Sequence, residues 1–275
     1  MHPIRPPAVS GTWYPGSAAA LASAVDAHLA RAADAPRLTA LTALIAPHAG
    51  LMYSGPVAAH AYRQLEGRNI DTVVLVGPSH FVGFDGVAIY RRGGFDSPLG
   101  VAPVDDAYAS RLVDACPLVH EHPAAHVREH SLEMQLPFLR RLLPHASIVP
   151  LVMGWQTRAV VTELGRALAG ATTGDTTLLV ASSDLSHFEQ AERAHALDMQ
   201  VVEAVERFDP EGLQVLLEEN DRHACGGGPM VAVMRAAQAL GARDAVVLNY
   251  ADSGDVSGDK SSVVGYLAAA FGIAA

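Results

Sequence analysis

Four apolar, β-branched runs in this chain end on residues that can hold a metal or move a proton. Leu44-Ile45-Ala46 leads into Pro47-His48-Ala49-Gly50, and Val73-Val74-Leu75-Val76 leads into Gly77-Pro78-Ser79-His80. Leu178 to Ala181 leads into Ser182-Ser183-Asp184-Leu185-Ser186-His187, and Val246 to Tyr250 into Ala251-Asp252-Ser253-Gly254. Histidine is the commonest metal ligand and the usual acid or base near neutral pH. A proline beside it stiffens the turn and suits a side chain that must hold one orientation. The matched contexts make His48 and His80 candidate ligands, while Pro-His and Pro-Ser also serve as plain turns.

Asp184 and His187, three residues apart past one run, suit a carboxylate that orients or shares protons with a histidine base. Ser182, Ser183 and Asp184 are equally good helix caps. Cys225 stands in His223-Ala224-Cys225-Gly226-Gly227-Gly228-Pro229, before an expected helix whose dipole favours a thiolate, so its pKa is expected to fall. A thiolate is a soft metal ligand or a nucleophile; a small buried hydrophobe is the plainer role. Cys116, beside Pro117, reads as structural. Of His120, His122, His126 and His130, only His130, opening Glu129-His130-Ser131-Leu132-Glu133, stays a candidate. No His-Glu-x-x-His helix and no glycine-rich phosphate loop occurs.

Such residues meet if strands deliver them to one edge. Alternating β-branched runs and helical periods argue for an α/β sheet, and ligands bind outside the carboxyl ends of its strands. Strands are expected at 41–46, 72–76, 148–152, 178–182, 246–250 and 262–267. A further run at 87–90, ringed by glycines, reads as a hairpin or an excursion from the main sheet. Helices are expected at 17–33, 55–65 with Pro56 just inside its start, 105–114, 131–143 kinked or divided by Pro137, 158–169, 191–208, 210–219 and 229–240. No linker, charge run or repeat divides residues 1–275, which read as one domain.

Composition narrows the classes. At 275 residues with half of them apolar, a core forms without disulfides or a structural metal. With 19 Lys and Arg against 29 Asp and Glu, the net charge is −10 and no basic stripe marks a nucleic-acid partner. Two cysteines are no disulfide framework and fit a reducing, cytoplasmic setting. The proline-bearing start reads as neither signal peptide nor anchor, and no apolar run is long enough to span a membrane. Thirteen histidines are many for a chain of low charge.

The ordered set Gly11-Thr12-Trp13-Tyr14-Pro15, Ala46-Pro47-His48-Ala49-Gly50 with Tyr53-Ser54-Gly55, Gly77-Pro78-Ser79-His80, Glu129-His130-Ser131-Leu132-Glu133-Met134, Ser182 to His187 and Cys225-Gly226 resembles the Memo family. In bacteria this is the family of AmmeMemoRadiSam system protein B, similar in structure to the class III extradiol dioxygenases. The resemblance implies a single α/β domain with a central mixed, largely parallel sheet flanked by helices. It implies a metal set of His48, His80 and Cys225, with Fe(II) the expected metal and copper the alternative, and Asp184 and His187 beside it. It also implies a radical-SAM protein and an AMMECR-type protein as functional partners. The dioxygenases hold iron on two histidines and a carboxylate; here Cys225 replaces the carboxylate.

Three functions follow as expectations. The first is a metal-dependent, dioxygenase-like oxidoreductase in which Asp184 orients a ligand or water and His187 is the acid or base, with Tyr53, Ser79, Ser183 and His130 lining the pocket. The second is a non-catalytic module binding a peptide or protein in that pocket. The third is a thiol hydrolase with Cys225 as nucleophile, His187 as base and Asp184 as orienting group. Trp13, Tyr14, Tyr53 and Phe81 wall the pocket or belong to the core.

Overall fold

The structure, a computed structural model, describes residues 3–32 and 36–274. The strands in chain order are β1 (Ile4–Arg5), β2 (Ala40–Ala46), β3 (Thr72–Pro78), β4 (Val87–Ile89), β5 (Gly94–Phe95), β6 (Ala102–Pro103), β7 (Val119–Glu121), β8 (Ser147–Met153), β9 (Thr177–Ser182), β10 (His187–Glu189), β11 (Asp244–Asp252) and β12 (Val263–Ile273). The main sheet runs β10-β12-β2-β9-β3-β8-β4-β7, with β11 also paired to β12; β1, β5 and β6 form a small second sheet. Its centre, β2-β9-β3-β8, is parallel, and β12 is antiparallel to β2. The carboxyl ends of β2, β9, β3 and β8 therefore share one edge.

Alternation along the strands explains the layers, since successive side chains point to opposite faces. Val74, Val76, Ile45 and Leu179 pack on one face with α3 (Asp106–Ala115), α6 (Arg158–Ala171), α7 (Ala191–Glu206), α8 (Pro210–Glu219) and α9 (Gly227–Ala239). Val73, Leu75, Leu44 and Val180 pack on the other with α1 (Ala18–Arg31), α2 (Leu51–Tyr62), α4 (Pro123–Val127) and α5 (Leu136–Leu142). Runs buried on both faces read as continuous apolar stretches, which made these strands legible.

Several boundaries differ from expectation. The helix expected from Gly55 begins at Leu51, so Pro56 lies inside it rather than at its first turn. The run at 87–90 belongs to the main sheet, antiparallel to β8, because the glycines flanking it turn the chain without removing it from the ladder. The segment from Ser131 divides into a 3-10 turn, Glu133–Gln135, and α5, with Pro137 in the first turn of α5. Ser17 caps α1 as expected, its hydroxyl accepting from Ala20 N–H; Ala33 lies outside the described residues. No helix among the described residues is long and apolar enough to cross a membrane.

Candidate metal centre

His48 follows β2, His80 follows β3, and β9 lies between them, delivering Ser182 to Asp184. Cys225 sits in the turn before α9. One ligand atom from each of His48, His80 and Cys225 lies within 4.8 Å of the others, and Nε2 of His48 is 3.3 Å from Sγ of Cys225.

Hydrogen bonds on the far side of each ring fix which nitrogen faces this point. The Ser182 hydroxyl donates its proton to the Ser131 carbonyl at 2.7 Å, so it accepts from Nδ1–H of His48 at 2.9 Å and from the Gln135 amide at 2.7 Å. Gln135 is oriented in turn by Tyr62, whose hydroxyl donates to its Oε1 at 2.7 Å. Nδ1 of His80 meets Oε1 of Glu129 at 2.8 Å, and a carboxylate only accepts. Both rings thus carry the proton on Nδ1, leaving Nε2 free to ligate. This is how partners behind the ligands orient metal-binding histidines.

Glu129 is the residue that sequence reasoning passed over. Its carboxylate accepts from the N–H groups of His80, His130 and Ser131 as well as from the His80 ring. Burial opposes its charge, but the His80 ring and these amides hold the carboxyl at about 2. The motif Glu129-His130-Ser131 was visible, but its function as a brace for His80, 49 residues away, has no local signal. His130 stacks on His80 with ring centroids 4.4 Å apart and lies 4.3 Å from Trp13. Burial, and then His48 and His80, lower its pKa to about 3. His48, 1% exposed, is pushed well below the ordinary histidine range, first by burial and then by His80.

Asp184 is buried, and its Oδ1 accepts from the N–H of His48 at 2.7 Å and of Ala49 at 3.3 Å. Burial raises its pKa to about 6 against these amides and the neighbouring histidines. His187 is half-buried and its Nδ1 bonds the Leu185 carbonyl at 2.8 Å. The expected chain from Cys225 through His187 to Asp184 is therefore not assembled: the thiol faces His48, and Asp184 and His187 each have a backbone partner. The expectation of a lowered Cys225 pKa is likewise corrected. Burial and then Asp184 push the thiol up.

The turn carrying Cys225 is clamped. Its N–H donates to the Asp184 carbonyl at 3.2 Å, and Gln156 donates to the Cys225 carbonyl at 2.7 Å while accepting from Gly228 N–H at 2.6 Å. A Cβ on Gly226 would stand 2.5 Å from the Ser182 carbonyl oxygen, so only glycine lets this turn approach the end of β9. Ser183, expected in the pocket, is buried and spends its hydroxyl on this join, donating to the Asp184 carbonyl and accepting from Gly226 N–H. Ser79 closes its own turn on the Val82 carbonyl and lines a cleft of about 710 Å³ together with His80 and Cys225. Tyr53 lines a second cleft, of about 970 Å³, with Trp13, Tyr266 and Phe188.

Trp13 is held by a buried anchor. Glu133 pairs with Arg5 at 2.7 Å and accepts from Tyr14 and from the N–H groups of Ala8 and Val9, tying the first residues of the chain to the segment that carries Glu129 and His130.

These features define an α/β protein with two histidines and a cysteine converging at the carboxyl ends of parallel strands. The Memo-like protein family model matches residues 5–270, and the chain belongs to that family. It is 36% identical over 272 residues to a MEMO1 family protein of Methanothermobacter thermautotrophicus, covering 96% of this chain and 98% of that protein. It is 39% identical over 280 residues to a MEMO1 family protein of Ignicoccus hospitalis, covering 98% of each. An uncharacterized protein from Escherichia coli K12 shares the fold, with a TM-score of 0.54 at 17% identity over 82% of this chain and 99% of that one.

Proposed function

We propose that this chain is a metal-binding, dioxygenase-like oxidoreductase that holds Fe(II), with copper as the alternative, on Nε2 of His48, Nε2 of His80 and Sγ of Cys225. The observation that carries this reading is the pair of Nδ1 partners, Ser182 and Glu129, which leave both Nε2 atoms free, that of His48 3.3 Å from the cysteine sulfur, with ligand atoms of all three residues within 4.8 Å of one another. Two imidazoles and a thiol suit iron or copper, and such a metal would supply one-electron chemistry and open positions for a small-molecule ligand.

The chain's own residues do the rest. Ser182 and Glu129 hold the rings, and the clamp by Gln156 and Asp184 holds the sulfur. His187, with Nδ1 bonded to a carbonyl, keeps Nε2 free to accept a proton from a bound ligand. Asp184, with its pKa at about 6, changes charge near neutral pH and sets the local field. A cytoplasmic setting and functional partnership with a radical-SAM protein and an AMMECR-type protein belong to this reading through the family resemblance.

The test is metal analysis of protein prepared without a histidine tag, loaded anaerobically with Fe(II) and desalted. Wild type should retain close to one equivalent and the His48→Ala, His80→Ala double variant almost none; equal retention in both overturns the proposal.

A second reading, a non-catalytic module for a peptide or protein, is favoured by the exposed Trp13, Met52 and Phe188 along the larger cleft. It predicts partner capture that Trp13→Ala or Phe188→Ala abolishes, in the absence of any small-molecule turnover.

A further inference from the structure

His48 is buried, so the two candidate ligands reachable from solvent are His80 and Cys225, and both line the cleft of about 710 Å³. Whatever approaches the candidate metal position from this side meets the cleft's walls first. One wall is aromatic: Trp155 is 61% exposed and Phe81 48% exposed. Trp155 is seated rather than loose, for a Cβ on Gly83 would stand 2.8 Å from its indole ring. Phe81 already takes a cation on its ring, with the Arg128 guanidinium 4.6 Å from the centroid.

The polar lining has one sign. Glu218 and Asp221 bring carboxylates to the cleft, and no lysine or arginine lines it. Arg158 neutralises Glu218 through a paired contact, whereas Asp221 has no ion-pair partner among the described residues. Gln214, 2% exposed, lines the same cleft; its Nε2 donates to Glu218, and its Oε1 is a buried acceptor without a donor among the described residues. A buried acceptor left unpaired is costly, and a ligand N–H in the cleft would satisfy it once the enclosed Gln214 amide shifts toward it. Aromatic faces, a free carboxylate and an unpaired acceptor together favour an apolar body with a cationic, hydrogen-donating head.

We propose that this cleft is the ligand subsite of the centre and that it selects an organic amine with an aromatic or apolar body over the corresponding carboxylic acid. The proposal rests on the metal-binding reading above for what the ligand would then meet, but the selectivity belongs to the cleft itself.

Phenethylamine and phenylacetate, of similar shape and opposite charge, separate the outcomes by ligand-observed NMR titration of metal-free and Fe(II)-loaded protein at pH 7.5. The amine should bind saturably, about tenfold more weakly after Trp155→Ala and about threefold more weakly after Asp221→Asn, with the acid binding far more weakly throughout. Equal or tighter binding of the acid overturns the proposal. So does amine binding that neither substitution changes, or no amine binding at all. Metal retention on the same samples keeps the two readings apart. Amine selectivity without metal uptake overturns the metal centre alone, and metal uptake without amine selectivity overturns this subsite alone.

Discussion

Sγ of Cys225 faces Nε2 of His48 at 3.3 Å across 177 residues of sequence, and the two meet as neutral groups. Burial lowers the histidine and raises the thiol, so neither is charged near pH 7 without a cation between them. This differs from a catalytic cysteine-histidine ion pair, in which the thiolate is already present. Metal-free protein should therefore react with iodoacetamide at pH 7 no faster than free cysteine, and His187→Ala should leave that rate unchanged. A rate about tenfold above free cysteine, lost in His187→Ala, would instead indicate a thiol nucleophile activated by His187.

Ser182→Ala tests the support behind the ligand. Without the hydroxyl, the His48 Nδ1–H, the Gln135 amide and the Ser131 carbonyl all lose a partner. Metal affinity should fall by about 10–100-fold, and stability by about 1–3 kcal/mol. Competitive chelator titration and thermal melting of the same samples check the two effects separately. Unchanged affinity alongside lowered stability would assign Ser182 to the core alone.

Acid should weaken the metal-free protein for identifiable reasons. His130, at about 3 when folded against an ordinary value of 6.5, contributes stability that is complete above pH 6.5 and is lost as pH falls. Glu129, at about 2 against 4.5, follows the same direction between pH 4.5 and 2. Asp184 has the opposite sign: raised to about 6 from 3.8, its contribution is present at low pH and is lost as pH rises through 6. Asp184→Asn keeps an acceptor for the His48 and Ala49 amides while removing this opposing effect. Between pH 7.5 and 5 the variant should therefore lose more stability than wild type, by roughly 1 kcal/mol, measured by denaturant titration at each pH. Equal losses would contradict the role given to Asp184.

Two glycine substitutions should differ in sign. In Gly226→Ala the added methyl meets the Ser182 carbonyl oxygen at 2.5 Å and Ser183 Cβ at 2.8 Å, and relief requires moving the turn that carries Cys225. A loss of about 1–3 kcal/mol is expected, together with reduced metal retention. In Gly170→Ala, within α6, the methyl meets nothing within 4 Å, and a gain of about 0.5–1 kcal/mol is expected from helix propensity. Thermal melts rank the three proteins, and destabilisation of both variants would refute the local argument at Gly170.

The parallel centre of the sheet was legible because its strands are buried on both faces and spell continuous apolar runs such as Val73 to Val76. The residues beyond each run were legible for the same reason, since strand ends in such a sheet converge. What escaped detection acts across sequence. Gln156 reaches the Cys225 turn from the loop after β8, and its type and setting carry no mark of that contact. Ser183 is next to Asp184 and resembles a pocket residue, yet it is sealed inside by the close approach of Gly226. Pro56 illustrates a different limit: a proline tolerated within α2 looks in sequence like one that opens a helix.

The sulfur lies well downstream of the imidazoles. Residues 48, 80 and 187 are translated before the turn that holds residue 225, and the clamp by Gln156 and Asp184 has nothing to hold until that turn exists. A nascent or prematurely terminated chain that stops between residues 187 and 225 carries His48 and His80 without the Cys225 sulfur. The set His48, His80 and Cys225 is thus complete only once residue 225 has been made, so any test of the proposed centre needs chain that extends past that turn.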